Sequence, residues 1–162
     1  MFKILTTLTS MTLLTLASTY ALAIRESETF EVSVTIPTAE FYVLPSESDW
    51  IHREQRLVWN LVTSELSPLR KNFDVKNTNG GISARLNAEP YLSNGRDTDN
   101  IPLIVTFNKQ RLTVNAEEVI SETDGKTGKR VGLEIAAVKP DDGYKAGEYY
   151  GNVNMMFEAI AP

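Results

Sequence analysis

The chain has 162 residues, with 16 Lys and Arg, 21 Asp and Glu, one His and no Cys. Its length favours one domain, and a hydrophobic fraction of 42% is typical of a folded protein rather than a disordered one. The net charge of −5 argues against a nucleic-acid partner, and the Cys and His counts exclude disulfides, thiolate metal sites, Cys nucleophiles and multi-histidine metal sites.

Residues 1–23 have the pattern of a cleaved secretory signal peptide. Lys3 gives a positive start, an uncharged and mostly apolar run follows, and Ala21-Leu22-Ala23 has the small, apolar, small order of a cleavage site. Repeated Thr residues make the run a poor membrane span, so we expect no membrane insertion of the mature chain. Cleavage near Ile24 leaves 15 basic and 21 acidic residues, a net charge of −6.

Strict alternation of apolar and polar residues predicts the first strand of the mature chain at 30–36. Its apolar side consists of Phe30, Val32, Val34 and Ile36. This segment starts only a few residues after the predicted cleavage site, where a chain terminus is free to move. Periodicity alone leaves two alternatives, the first strand of this domain or a strand that completes a sheet in another molecule.

Similar alternation predicts further strands along the chain. Gly80 and Gly81 are expected to form a hairpin turn, because tight turns need positive φ angles. Trp59 is a candidate core tryptophan, although 47–66 is also the best candidate for a short helix. The predicted strands are 40–44, 57–61, 73–77, 82–86, 102–107, 112–120, 130–138 and 148–160.

Short strands at intervals of about 8 to 12 residues predict an all-β protein with an Ig-like β-sandwich. The final strand places four residues on one face, namely Val153, Met155, Phe157 and Ala159. We expect a signal peptide at 1–23, an N-terminal strand at 24–37 and one Ig-like domain at 38–162.

Candidate catalytic and ligand-binding motifs are weak. Gly125-Lys126-Thr127 is similar to the end of a phosphate-binding loop, but Ile120 stands where that motif requires Gly, so a turn is expected at 124–128. Asp97 with Asp99, like Asp141-Asp142, is expected in a solvated turn. His52 has no Ser or Cys partner pattern nearby. The sequence therefore predicts no catalytic residues, no metal site, no cofactor and no enzymatic activity.

Three segments in order resemble the major subunits of the class 5, or alpha-type, fimbriae of Gram-negative bacteria. That family includes the coli surface antigen and colonization-factor pili and the cable pili. Residues 30–38 resemble its N-terminal donor segment, 88–94 with 101–107 its middle region, and 145–153 its closing strand. The resemblance covers nearly the whole mature chain, and the absence of Cys agrees with it.

The resemblance implies an incomplete Ig-like fold that is completed by donor-strand exchange. Phe30, Val32, Val34 and Ile36 are then the donor residues, and the final strand, with no residue after Pro162 to cover it, forms the acceptor edge. The implied partners are other copies of the chain, a periplasmic chaperone, an outer-membrane usher and a tip adhesin subunit. The implied localisation is a fimbria on the cell surface, reached through the periplasm.

The resulting hypothesis is a structural fimbrial shaft subunit that polymerises into a fibre used for adhesion. A tip adhesin is not expected, because tip subunits of this family resemble two-domain proteins. The alternative is a secreted monomeric β-sandwich that binds a glycan or a host protein.

Overall fold

Short extended segments, separated by turns rich in Gly, Pro, Asn and Asp, make up most of the structure. The computed structural model describes residues 40–161, so the predicted signal peptide and the strand at 30–36 lie outside the described residues. Short 3-10 turns occur at Ser48–Trp50 and Asp97–Asp99. In chain order, the elements are β1 (Phe41–Pro45), β2 (Trp59–Asn60), β3 (Glu65–Leu66), β4 (Leu69–Asn77), β5 (Ile82–Leu86), β6 (Tyr91–Leu92), β7 (Ile101–Phe107), β8 (Gln110–Arg111), β9 (Glu117–Ile120), α1 (Glu122–Thr127), β10 (Lys129–Ala137) and β11 (Met155–Ala159).

The strands form two sheets and one small hairpin. The larger sheet has the order β1-β4-β10-β7-β6, with β8 paired to β7, and the smaller sheet has the order β11-β5-β9. Among residues 40–161, strands β2 and β3 pair only with each other. Each pair in these sheets is antiparallel.

Apolar side chains from both sheets meet in one core, which confirms the predicted all-β sandwich. Alternate residues of β4, β5, β7 and β10 are buried, as the period of two along a strand requires. Phe107 lies at the centre of an aromatic group, with ring centroids 5.6 Å from Phe73 and 4.8 Å from Phe157. Edge-to-face and tilted ring contacts of this kind stabilise the sandwich interior.

The segment at Gly80 and Gly81 joins the two sheets, so the predicted hairpin is wrong. Strand β4 belongs to the larger sheet and β5 to the smaller one. Neither glycine has a positive φ angle. Both instead allow close backbone approach, because a Cβ on Gly80 would overlap the carbonyl oxygen of Ile160 and one on Gly81 would lie 2.8 Å from that of Ile120.

Three other local predictions are also wrong. Trp59 is 41% exposed and lies in the small hairpin β2–β3, not in the core. Residues 122–127 form helix α1 rather than a turn, since the Ser121 hydroxyl accepts the backbone N–H of Asp124 at the helix start. The last strand covers only Met155–Ala159 and not 148–160, and within the earlier part Tyr150 makes an isolated bridge to Ser93.

Within residues 40–161, no helix combines the length and the apolar character needed to cross a bilayer. The one α-helix there has six residues and lies beside β4. Little helix and many short strands are the composition that the sequence predicted for this domain.

Candidate functional site

Strand β11 forms one edge of the smaller sheet and has an open side. It pairs with β5 in register from Met155 opposite Leu86 to Ala159 opposite Ile82. Among the described residues, no strand pairs with the other side of β11. We call the side of β11 that faces away from β5 the open edge.

The backbone groups at the open edge belong to alternate residues of β11. The N–H of Ile160 donates to the Gly81 carbonyl at 2.9 Å, and the Asn154 carbonyl accepts the Asn87 N–H at 3.1 Å. The even-numbered residues of β11 and its two ends therefore direct their backbone N–H and C=O groups toward β5. Because these directions alternate along a strand, Met155, Phe157 and Ala159 direct their N–H and C=O groups to the open edge.

The same alternate residues of β11 turn their side chains toward the core. Met155 and Phe157 are half-buried and pack against the core, as does Val153 just before the strand. Ala159, at the end of the strand, is exposed. The structure thus brings three of the four predicted edge residues into contact with the core and leaves the fourth in solvent.

Strand β1 is the corresponding outer strand of the larger sheet. Its even-numbered residues pair with β4, since Thr78 N–H donates to the Glu40 carbonyl at 2.8 Å and Ser46 N–H to the Asn72 carbonyl at 2.9 Å. Val43 is half-buried and packs against the core, like the inner residues of β11. β1 thus lies at one edge of the larger sheet, as β11 does in the smaller sheet.

Asn77 connects these two strands at one end. Its Nδ2 donates to the carbonyls of Gly81 at 2.6 Å and Ile160 at 3.2 Å, and its Oδ1 accepts the backbone N–H of Asn79 at 3.2 Å. In the larger sheet, Asn77 lies opposite Phe41 of β1. The side chain is fully buried, so these hydrogen bonds fix the end of β11 relative to β4 and β1.

The four predicted donor residues lie outside the described residues. The structure therefore places the predicted edge residues of β11 but gives no position for Phe30, Val32, Val34 or Ile36. Their role stays a prediction from the alternating pattern.

A second polar cluster joins the middle region to the segment before β11. Lys145 Nζ donates to Asp99 Oδ1 at 2.9 Å, and Asn94 Nδ2 donates to Asp99 Oδ2 at 3.2 Å. The Tyr149 hydroxyl accepts from Asn94 Nδ2 at 3.3 Å and donates to the Lys145 carbonyl at 3.1 Å. Hydrogen bonds from Lys145 and then Asn94 lower the pKa of Asp99 to about 2.

This cluster corrects the expectation that Asp99 lies in a solvated turn. The Asp99 side chain is only 6% exposed because Lys145 and its neighbours cover it. The backbones of the two segments approach closely at Gly151, since a Cβ there would overlap the Tyr91 carbonyl oxygen. Two segments that resemble family motifs, 88–94 and 145–153, are thus in direct contact.

A cleft of about 610 Å³ lies between the base of the β2–β3 hairpin and residues 144–150. Trp59 and Tyr144 form its aromatic wall, with ring centroids 5.5 Å apart and planes at 90°. Burial, and then the charge of Glu65, raise the pKa of Tyr144. In residues 40–161 no group of three His, Cys, Asp or Glu side chains is arranged to hold a metal ion.

The sequence interpretation missed the roles of Asn77 and Trp50, and it placed Asp99 in a solvated turn rather than in this polar cluster. Asn77 continues the inward-facing series of β4 after Phe73 and Val75, and a polar residue at such a position is a signal for a buried hydrogen bond. Trp50 packs edge-to-face on Phe73 with centroids 5.8 Å apart, beyond the end of β1. No local pattern in 46–56 indicates that this tryptophan reaches the core.

Comparison with protein families gives a match over most of this chain. Residues 26–158 match the family model for the CS1 type fimbrial major subunit. No curated protein sequence gives a significant match.

Solved structures that are similar to this chain include one of a pilin subunit. The CooA pilin subunit from enterotoxigenic Escherichia coli superimposes with a TM-score of 0.62 at 21% identity, covering 74% of this chain and 86% of that one. A second structure, from work on a chaperone–tip adhesin complex in CFA/I fimbriae biogenesis, has a TM-score of 0.48 at 15% identity, covering 73% of this chain and 42% of that one. The likeness to CooA supports the fold found here.

Proposed function

Because this chain belongs to the family of CS1 type fimbrial major subunits and is a structural subunit of a fimbrial shaft, we propose that it polymerises by donor-strand exchange. In this proposal, residues 24–37 of one copy supply the donor strand, and the open edge of β11 in the next copy receives it. Residues 38–162 form the receiving Ig-like domain, after removal of a signal peptide at 1–23.

The open edge of β11 is the observation that carries the proposal. Met155, Phe157 and Ala159 direct backbone donors and acceptors to a side where the described residues contain no strand. An added strand would pair with these groups, as in other cases of strand addition to a sheet edge. The half-buried Val153, Met155 and Phe157 would then become fully covered by the donor side chains.

The donor side chains roughly offset the entropy lost when the donor segment becomes ordered. Burying four large apolar side chains contributes about 6 to 12 kcal/mol as an upper estimate. Fixing seven residues in a strand costs about 7 to 14 kcal/mol of backbone entropy. The surplus that drives assembly must therefore come from the new sheet hydrogen bonds and from completion of the acceptor core.

An uncovered edge requires a temporary partner before polymerisation. An exposed strand edge beside apolar side chains promotes aggregation. We therefore infer a periplasmic chaperone that covers the edge, an outer-membrane usher where it is exchanged, and a tip adhesin at the end of the fibre. The subunit is part of a surface fimbria, and we infer that it arrives there by export through the periplasm.

We also infer that the subunit has no enzymatic activity. The family is a structural one, and the polar clusters of the described residues are explained by their contacts with one another. The alternative hypothesis, a secreted monomeric binding domain, receives no support from a match to a fimbrial major subunit.

Two substitutions in the donor segment test the proposal. Val34→Asp or Ile36→Asp is expected to abolish fibre growth, because each places a carboxylate between the two sheets of the next subunit. The measurement is fibre length and yield on cells, by electron microscopy, together with the ladder of stable oligomers on a gel without heating.

Thr35→Asp is the matched control, since it adds the same charge to the opposite face of the same strand. It is expected to leave fibres and the oligomer ladder unchanged. Normal fibres with Val34→Asp, or equal loss with Thr35→Asp, would contradict the assigned face of the donor strand.

A further inference from the structure

The β2–β3 hairpin ends in a group of apolar side chains that point into solvent. Leu61 is 85% exposed and Val62 is 93% exposed, and Val58 at the base of the hairpin is 66% exposed. We call Leu61 and Val62, which lie in the turn between β2 and β3, the hairpin tip. Aliphatic side chains at such exposure, grouped in one turn, are typical of a contact with another molecule.

The hairpin tip is held in a defined conformation. Asn60 Oδ1 accepts the backbone N–H groups of Val62 at 2.9 Å and Thr63 at 3.2 Å. At the base, Ser67 N–H donates to the Val58 carbonyl at 2.8 Å, and Trp59 packs edge-to-face on Tyr144. A side chain presented on such a fixed turn loses little conformational freedom when it binds.

We propose that the hairpin tip packs against another copy of this chain within the fimbrial shaft. Two side chains cover far less than the roughly 800 Å² that each partner buries in a stable complex. The tip therefore cannot hold a free partner by itself. It can hold a copy that the fibre already keeps nearby, because tethering raises the effective concentration to the millimolar range or above.

Charge also favours a copy of the same chain at this position. The mature chain has a net charge of −6, so neighbouring copies repel one another over most of their surface. No residue from 57 to 64 is charged. An uncharged apolar turn is where two such copies can approach without bringing like charges together.

The contact is of the type that builds a helical fibre. A tip on one copy and a different surface on another form a heterologous pair, and such pairs repeat without closing. The proposal requires only that copies lie beside one another in a fimbria. It goes beyond donor-strand exchange and is independent of how successive subunits are joined.

The absence of native Cys allows a direct test on assembled fimbriae. Leu61→Cys and Val114→Cys are made separately, and each fibre is labelled with a maleimide dye, with the denatured fibre as the reference for full labelling. Val114 is the matched control, an apolar residue outside the hairpin that is 44% exposed. Exposure in the single subunit predicts faster labelling of Leu61→Cys than of Val114→Cys.

The proposal predicts the opposite order in the fibre, with labelling of Leu61→Cys slower by about ten-fold or more because the tip is covered. Labelling rates that follow the exposure of the single subunit would overturn it.

A double variant, Leu61→Ser with Val62→Ser, gives a second readout. Both residues are exposed, so the subunit is expected to fold and to enter fibres in normal amounts. The helical rise and twist, measured by electron microscopy, are expected to become irregular. Fibres with the parent helical parameters would overturn the proposal, whereas loss of all polymerisation with Val34→Asp concerns only the donor strand.

Discussion

Asn77 is a buried amide whose side chain joins the end of β4 to two other parts of the backbone. Its Nδ2 holds the carbonyls of Gly81 and Ile160, so the amide fixes both the connection between the sheets and the end of β11. A buried carbonyl that loses its donor is costly because no water replaces it. Asn77 therefore helps to fix the position of the open edge, together with the pairing of β11 with β5.

Asn77→Ala is expected to lower the free energy of unfolding by about 1 to 3 kcal/mol. The measurement is denaturant unfolding of a self-complemented subunit, which we define as residues 24–162 followed by a short turn and a second copy of residues 27–38. Asn115→Ala, at an exposed turn position, is the control and is expected to change stability by less than about 0.5 kcal/mol. Equal effects of the two substitutions would contradict the role of Asn77.

Asp99 gives the subunit a defined response to acid. Its pKa is lowered to about 2 in the folded subunit, against about 3.9 in an unfolded chain. The stability that the carboxylate contributes is therefore complete above pH 4 and is lost as the pH falls from about 4 to about 2.

Asp99→Asn is expected to remove this part of the pH dependence. Melting temperatures of the self-complemented subunit between pH 6 and pH 2 should fall less steeply in the variant than in the parent below about pH 4. Asp97→Asn, at the exposed start of the same 3-10 turn, is the control and should follow the parent curve. A variant curve parallel to that of the parent would contradict the assignment.

The connection between β4 and β5 is the element that sets the position of β11. The backbone of Gly80 packs directly on the Ile160 carbonyl, and that of Gly125 in α1 packs on the Gly80 carbonyl. Helix α1, the connection and the end of β11 are thus stacked with no room for side chains. A change at Gly80 must shift the last strand.

Gly80→Ala is expected to destabilise the self-complemented subunit by about 1 to 3 kcal/mol, as overpacking in a rigid site usually does. Gly132→Ala in β10 is the matched control, since nothing lies within 4 Å of a Cβ there and its φ angle is not positive. The control should be neutral or slightly stabilising. A neutral Gly80→Ala would show that the connection is free to move.

At the level of elements, alternation predicted most of the sandwich correctly. Strands β1, β4, β5, β7 and β10 lie where period-two patterns indicated, because buried strands need one apolar face. The wrong predictions concern residues whose local sequence pattern fits two different structures. Gly80 and Gly81 serve close approach rather than a turn, and the alternating 57–61 segment forms an exposed hairpin rather than a core strand.

The candidate site could be predicted only in part. The inward face of the last strand follows from alternation, but its open edge depends on strand order, which no local pattern contains. The contact between Asp99 and Lys145 likewise links residues 46 positions apart. A contact between residues so far apart in the chain can be recognised only when the order and position of the strands are known.

At the level of the whole molecule, the described residues form a β-sandwich in which no described strand lies beside the outer side of β11. Its core is well packed around Phe73, Phe107 and Phe157, so the domain has most of a stable interior. The coverage beside the open edge of β11 is what we propose the next copy supplies. Folding of the acceptor and growth of the fibre are then coupled, because the same strand completes both.

The most direct test compares the plain subunit, residues 24–162, with the self-complemented subunit, by size-exclusion chromatography and denaturant unfolding in the absence of a chaperone. We expect the self-complemented subunit to be a stable monomer with a single cooperative transition, and the plain subunit to polymerise, aggregate or unfold at lower denaturant. Two monomers of equal stability would contradict donor-strand exchange as the basis of assembly.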